Sequence, residues 1–120
     1  MDEQAVRDHA LAFSDALVAG NVDRAIEDLS GELRRNLGEV LALLPLPASE
    51  AAVESIEQSG SGYNVVIRFF GETAEDRIQT RWKDRDGRPT IVEASHLSRT
   101  ARAEEVGAVE GSSEEDQAST

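Results

Sequence analysis

The sequence turns back on itself in residues 78–97, which read IQTRWKDRDGRPTIVEASHL. The Asp86-Gly87 pair lies between two segments that alternate apolar and polar side chains, and this pattern is a strong signal for a β-hairpin. A three-residue loop, Arg85 to Gly87, would use the left-handed conformation that glycine adopts without steric cost. We therefore predict two antiparallel strands joined at Arg85 to Gly87.

The register of this hairpin depends on the length of its loop. A three-residue loop sets Trp82 near Thr90 and Asp76 near His96. A two-residue turn would exchange the faces of the partner strand and bring Glu93 beside Trp82, because successive side chains point to opposite faces. The three-residue loop is preferred here, and the two-residue turn is kept as the alternative. In the preferred register one face carries Ile78, Thr80, Trp82, Val92 and Ala94, and the other carries Arg77, Gln79, Arg81 and Lys83 with Ile91, Glu93, Ser95 and Leu97.

The first half of the chain has the 3.6-residue periodicity of amphipathic helices. Residues 4–18 form one such segment, and Gly20 is typical of the residue that follows a helix end. Asn21 is a good N-cap for a short second helix. A third helix is predicted between Ser30 and Pro45, because proline cannot donate the helix hydrogen bond. Its apolar stripe consists of Leu33, Leu37, Val40, Leu41 and Leu44.

Beyond residue 50 the pattern changes to that of strands. Residues 51–58 and 63–70 are the two strands predicted before the hairpin, and residues 63–70 are apolar on both faces, which favours a central strand or one used in association. The fold class is therefore α+β, with N-terminal helices packed on one face of a curved antiparallel sheet of about four strands. We expect one domain over residues 1–99. Residues 100–120 are predicted to be a disordered acidic tail, with an interaction tail as the alternative.

The composition excludes several classes of function. The net charge of −12 opposes binding to nucleic acid phosphates and to anionic membrane surfaces. The sequence has no cysteine, so thiolate chemistry and disulfides are excluded. No segment has the apolar length of a membrane span, and no signal peptide is evident. We expect a cytoplasmic protein with neither nucleic acid nor membrane as a partner.

Two segments carry a resemblance to a known family. Residues 12–25 read AFSDALVAGNVDRA and resemble the first helix and Gly-Asn junction of the nuclear transport factor 2-like (SnoaL-like, cystatin-like α+β) superfamily. Residues 81–94 are similar to its closing hairpin. The resemblance implies a cone-shaped pocket between the helices and the concave sheet. It also implies a small apolar ligand, with the pocket candidates Phe13, Leu17, Leu41, Tyr63 and Trp82.

The same superfamily contains isomerases, cyclases, dehydratases and noncatalytic domains, so the resemblance does not choose a reaction. Its ketosteroid isomerase members place a tyrosine near the first helix, where this chain has Phe13 and Leu17. No aspartate of this chain can be matched to their general base.

Three ionisable residues are candidates for acid/base chemistry. His96 and Asp76 are predicted to lie across from each other, and a carboxylate can fix the tautomer of an imidazole and raise its basicity. The alternative is a surface ion pair at a strand end. Glu93 would lie in an apolar environment only with the two-residue turn, where desolvation would raise its pKa; otherwise it is an exposed carboxylate. His9 is expected on a helix flank, and no metal ligand set or cofactor motif is found.

The preferred hypothesis is a noncatalytic binding or interaction module that forms a homodimer through the exposed sheet face. The alternative is a small isomerase, cyclase or hydratase that uses one pocket acid/base. A local basic cluster of Arg77, Arg81, Lys83, Arg85 and Arg88 would receive an anion, or it is an ordinary solvated sheet face.

Overall fold

The computed structural model describes residues 1–101, and residues 102–120 lie outside the described part of the chain. The helices come first: α1 is Glu3–Val18, α2 is Val22–Ala25 with a 3₁₀ turn at Ile26–Asp28, α3 is Gly31–Arg35 and α4 is Leu37–Leu43. The strands follow: β1 is Glu50–Ser59, β2 is Gly62–Phe70, β3 is Ala74–Arg85 and β4 is Arg88–Ala101.

The four strands form one antiparallel sheet in the order β1-β2-β3-β4. The α+β architecture predicted from the sequence is therefore confirmed. Strand β4 continues through Thr100 and Ala101, which pair with Glu75 and Ala74, so the last strand extends two residues into the segment expected to be tail. The rest of that predicted tail lies outside the described residues. Within residues 1–101 no helix is long and apolar enough to cross a membrane.

Helix α1 buries the stripe that its periodicity predicts. Asp2 caps its N-terminus by accepting a hydrogen bond from the Ala5 backbone N–H at 2.8 Å. Helix α1 is followed by Gly20, whose φ of 79° lies in the left-handed region. The buried positions on its inner face are Val6, Ala10, Phe13, Ala16 and Leu17.

The predicted third helix is two short helices, α3 and α4, that are separated at Asn36. The Asn36 side-chain amide donates to the Glu32 carbonyl oxygen at 3.1 Å. Asparagine side chains of this kind compete with the backbone for helical acceptors and favour helix ends over helix interiors. A single helix was therefore the wrong prediction for residues 31–43.

The hairpin turn contains two residues, Asp86 and Gly87, both with positive φ (56° and 80°). This is the turn type whose twist matches that of the flanking strands. Trp82 pairs with Ile91, so the preferred three-residue loop was wrong, and Ile91 faces the core.

Glu93 does not follow the alternative register either. Val92 is an extra residue between Ile91, which pairs with Trp82, and Glu93, which pairs with Arg81. Such a β-bulge shifts the register by one residue. It returns Glu93 to the face away from the helices, where Glu93 is exposed.

The core lies between α1 and the sheet, and its centre is Trp82, whose exposed fraction is 0%. The ring of Phe13 meets the indole edge to face, with centroids 6.3 Å apart and planes at 87°. The indole N–H donates to Thr80 Oγ1 at 2.8 Å, and that hydroxyl donates to the Val65 carbonyl at 3.0 Å. The largest apolar side chain is therefore buried with its one polar group satisfied.

A buried carboxylate joins the helices to the hairpin. Asp28 is completely buried, and its two oxygens accept from Arg24 Nη1 at 2.9 Å and Arg88 Nη2 at 3.0 Å. His9 Nδ1 lies 3.2 Å from Asp28 Oδ1. Because these groups come from α1, α2 and β4, the cluster ties three elements together.

Asp28→Asn is expected to destabilise the fold, because it removes the one negative charge shared by two guanidinium groups. Breaking a buried ion pair costs about 3–5 kcal/mol, and partial exposure of both arginines reduces this to about 2–4 kcal/mol. Urea unfolding followed by Trp82 fluorescence measures the change. Asp15→Asn, at an exposed position of α1, is the matched control. A loss for D28N no larger than that for D15N contradicts the role of the cluster.

Candidate functional site

Asp76 lies at one end of the β3–β4 pair beside an open recess of about 240 Å³. Its side chain points toward the helix face of the sheet, because Asp76 pairs with the buried Phe69. The recess is completed by the loop after α4 and by the turn between β2 and β3. Its lining residues are Leu44, Pro45, Leu46, Pro47, Gly71, Glu72, Thr73, Ala74, Asp76 and Arg99.

Two basic side chains hold one oxygen of the Asp76 carboxylate. His96 Nε2 and Arg99 Nε each lie 2.8 Å from Asp76 Oδ1, and Asp76 is only 3% exposed. Burial raises the pKa of Asp76, but the hydrogen bonds from Arg99 and then His96 outweigh it, so the pKa lies below its usual value. No described residue donates to Oδ2, so one oxygen is left for water or a ligand.

The contact between His96 and Asp76 arises in a different way from the predicted pairing. His96 is opposite Ile78, and Arg99 is opposite Asp76, because Leu97 is an extra residue between Ser98 and His96 in the pairing with β3. The imidazole reaches Asp76 from a neighbouring position. Sequence reasoning missed Arg99, since it depends on a bulge that the alternation of side chains does not reveal.

The His96–Asp76 pair has the geometry of an oriented imidazole. With the proton assigned to Nε2, the carboxylate accepts it and the Nδ1 lone pair becomes available as a proton acceptor. Arg99 donates to the same oxygen, so Asp76 Oδ1 is shared between two donors. The arrangement serves equally as an ion-pair link between β3 and β4.

The five pocket candidates lie in the packed interior. Phe13, Leu17, Tyr63 and Trp82 are at most 9% exposed, and Leu41 packs half-buried against them. Three open recesses on the described part of the chain are lined by other residues. A ligand between helices and sheet would therefore have to displace the ring of Trp82 or Phe13.

The predicted basic cluster is divided between different environments. Arg77 binds Glu54 with two hydrogen bonds of 3.0 and 2.6 Å on the outer face of the sheet, the face away from the helices. That bond lowers the pKa of Glu54. Arg81 donates to Asn64 Oδ1 and to the Ser59 carbonyl, and Arg88 binds Asp28.

The outer face has an uncharged row at its centre. Ser55, Val66, Gln79 and Ser95 are neighbours across the four strands. A charged row lies on each side of it, and the rows contain ion pairs of Arg68 with Glu54 and Glu75. Val66 is only 8% exposed although no helix covers this face. Among residues 1–101, no group of three or more His, Asp or Glu side chains could hold a metal ion.

Comparison with solved structures identifies the fold. The chain is similar to an NTF2-like protein of unknown function from Shewanella baltica OS155, with a TM-score of 0.61 and 12% identity over 78% of this chain and 90% of that one. It is also similar to an NTF2-like protein of unknown function from Burkholderia xenovorans LB400, with a TM-score of 0.59 and 16% identity over 79% of this chain and 83% of that one.

These likenesses show that the chain has an NTF2-like α+β fold, as its resemblance predicted, and at this identity they show the fold alone. A scan against protein-family models gives no match. A search of curated proteins gives no match either.

The lowered pKa of Asp76 predicts a pH-dependent contribution to stability. A carboxylate with a folded-state pKa below its unfolded value of about 3.9 stabilises the fold above that pH and loses this effect as the pH falls through the folded value. Asp76→Asn should therefore cost roughly 1–3 kcal/mol near neutral pH and progressively less below about pH 4.

Urea unfolding of wild type and D76N across this pH range is the measurement. If the free energy of unfolding lost in D76N stays constant to about pH 2, the carboxylate of Asp76 does not have a shifted pKa. Its pKa would then be the same in the folded and the unfolded state.

Proposed function

We propose that this chain is a noncatalytic interaction domain that forms a homodimer through the outer face of its sheet. The observation that carries the proposal is the uncharged row Ser55, Val66, Gln79 and Ser95 in the middle of the sheet face that points away from the helices. An uncharged centre inside a charged rim is a common arrangement in protein interfaces, whose cores are depleted in charged residues.

Charge distribution favours this face over the rest of the surface. The whole chain has a net charge of −12, so two copies repel each other over most of their surfaces. Cationic and anionic side chains nearly balance each other on the outer face. Its ion pairs neutralise the arginines locally, so two such faces can approach closely. These charged residues include Arg68, Arg77, Arg81, Lys83 and Arg85 with Glu50, Glu54, Glu57, Glu75 and Glu93.

The size of the face is sufficient for a modest interface. Four strands spaced about 4.8 Å apart and nine residues of about 3.3 Å each give a face of roughly 600 Å² in projection. A standard interface buries about 800 Å² of accessible surface on each partner. Because side chains protrude from the sheet, the accessible surface of the face is larger than its projected area. The face is therefore close in size to one side of a standard interface.

Association through the edge of β4 is less favourable. The extra residues Val92 and Leu97 interrupt the regular alternation of this edge strand, and bulges of this kind are a common way to prevent strand-to-strand pairing. The backbone N–H of Ser30 also donates to the Ile91 carbonyl and occupies part of the edge.

The test is to place a large charged side chain in the uncharged row. Ser95 is exposed, so Ser95→Arg should leave the folded monomer unchanged and convert a wild-type dimer into a monomer in sedimentation equilibrium. Ser61→Arg adds the same side chain at the exposed β1–β2 turn and should leave the dimer intact. A wild-type monomer, or a dimer of S95R as stable as that of wild type, overturns the proposal.

A second candidate function rests on the His96–Asp76 contact at the Asp76 recess. Its oriented imidazole and adjacent open space suit a small isomerase, cyclase or hydratase that abstracts a proton from a carbon next to a carbonyl. Glu93 lies on the outer face beside Arg81, away from this recess, so it serves as a control.

Hydrogen–deuterium exchange of small ketones, followed by NMR in deuterium oxide, tests this chemistry without a known substrate. If His96 is the base, wild type accelerates exchange, and His96→Gln lowers the accelerated rate roughly 100-fold. Glu93→Gln, the control, should leave the rate unchanged. Exchange at the buffer rate with wild type argues for the interaction domain alone.

A further inference from the structure

The tip of the β3–β4 hairpin places two arginines directly opposite each other. Arg85 and Arg88 form the last cross-strand pair before the turn. Directly paired residues project to the same face, and like charges in such a pair are destabilising. The turn does not require arginines at these two positions, because the residues with positive φ that form it are Asp86 and Gly87.

These two arginines line an open recess of about 370 Å³ between the hairpin tip and the segment that enters α3. Arg34 lies on the other side of this recess. Its guanidinium is fixed by donating to the carbonyls of Ile26, Glu27 and Leu29 at 3.0–3.1 Å. The remaining lining residues are Glu27, Leu29, Ser30, Gly31, Asp86 and Thr90.

The hydrogen-bonding capacity of the two hairpin arginines is largely unused. Arg88 gives one N–H to Asp28, and its Nε is buried without an acceptor among residues 1–101. Arg85 is exposed and forms no ion pair with any residue of the described chain. Glu27 and Asp86 line the same recess without neutralising Arg85. The buried Nε of Arg88 and the exposed guanidinium of Arg85 can both donate to an acceptor from outside the chain.

We infer that this recess binds a phosphate group carried by a small-molecule phosphate ester. A phosphate has several acceptor oxygens and matches the fork of an arginine with two parallel hydrogen bonds. Bound between Arg85 and Arg88, it removes their mutual repulsion, and the fixed Arg34 adds a third positive charge. The recess is larger than a phosphate alone requires, so the organic part of the ester fits beside it.

The two carboxylates on the rim limit the site to a ligand with a concentrated charge. Glu27 and Asp86 line the same recess and repel negative groups beyond the one that the arginines hold. This selects a single phosphate over a polyanion such as nucleic acid, whose binding the chain's net charge of −12 also opposes. The site lies at the hairpin tip, away from the uncharged row of the outer face and from the Asp76 recess, so it does not rest on the proposed function.

Inorganic phosphate is the probe for this site. It is titrated into the ¹⁵N-labelled full chain at constant ionic strength, and the arginine Nε–Hε signals and the Gly87 amide signal are followed. We expect a saturable shift with a midpoint at millimolar phosphate. Arg85→Gln should raise that midpoint about tenfold, since it removes one charged hydrogen-bonding partner.

Arg7→Gln makes the same change of charge on α1, at a surface position paired with Glu3 at 3.7 Å and outside the recess. It should leave the midpoint unchanged. Absence of a saturable shift overturns the inference. Equal weakening by R7Q and R85Q also overturns it, because the effect would then come from net charge and not from a site.

Discussion

The burial of Trp82 between helix α1 and the sheet is the contact on which the rest of this structure depends. The indole is fully enclosed, it meets Phe13 edge to face, and its N–H is satisfied by Thr80. Losing a buried tryptophan side chain costs about 3–5 kcal/mol, a large part of the stability of a small domain. The position of α1 on the sheet is therefore fixed by one residue of the hairpin.

This packing determines where function can be located. The resemblance implied a ligand pocket between the helices and the sheet, but in this chain Trp82 and Phe13 are packed there in the hydrophobic core. The remaining surfaces lie around that closed core: the outer face of the sheet, the Asp76 recess and the hairpin tip. Each of these surfaces includes residues of β3 and β4. The hairpin that anchors the core therefore also positions residues of the sites outside it.

The fold could be predicted from periodicity because burial is regular in most of the chain. The stripe of α1 and the alternation of β2 follow ideal periods, and both are confirmed. The hairpin register could not be predicted, since the extra residues Val92 and Leu97 break the alternation without a local sequence signal. The contact of Arg99 with Asp76 was missed for that reason, whereas Ile91 was misplaced because the turn has two residues and not three.

The burial of Asp28 was also missed, because a carboxylate is buried only when it has partners, and two of its partners are distant in the sequence. His9, Arg24 and Arg88 come from three elements that the topology brings together. In the sequence Asp28 reads as an ordinary polar residue near a helix end. Long-range charge pairing of this kind has no periodic signature, in contrast to an apolar stripe.

The chain uses both of its histidines against buried aspartates, and the two aspartates differ in what they can still bind. Both oxygens of Asp28 accept hydrogen bonds from cationic side chains, Oδ1 from Arg88 and Oδ2 from Arg24, so that cluster is complete. His96 and Arg99 both use Oδ1 of Asp76. Its Oδ2 has no donor among residues 1–101, and Asp76 borders a recess.

A carboxylate loses much of its hydration on burial, so an oxygen left without a protein donor needs water or a ligand to compensate. Of the two buried carboxylates, therefore, Asp76 alone can act on a molecule from outside, and Asp28 serves the fold.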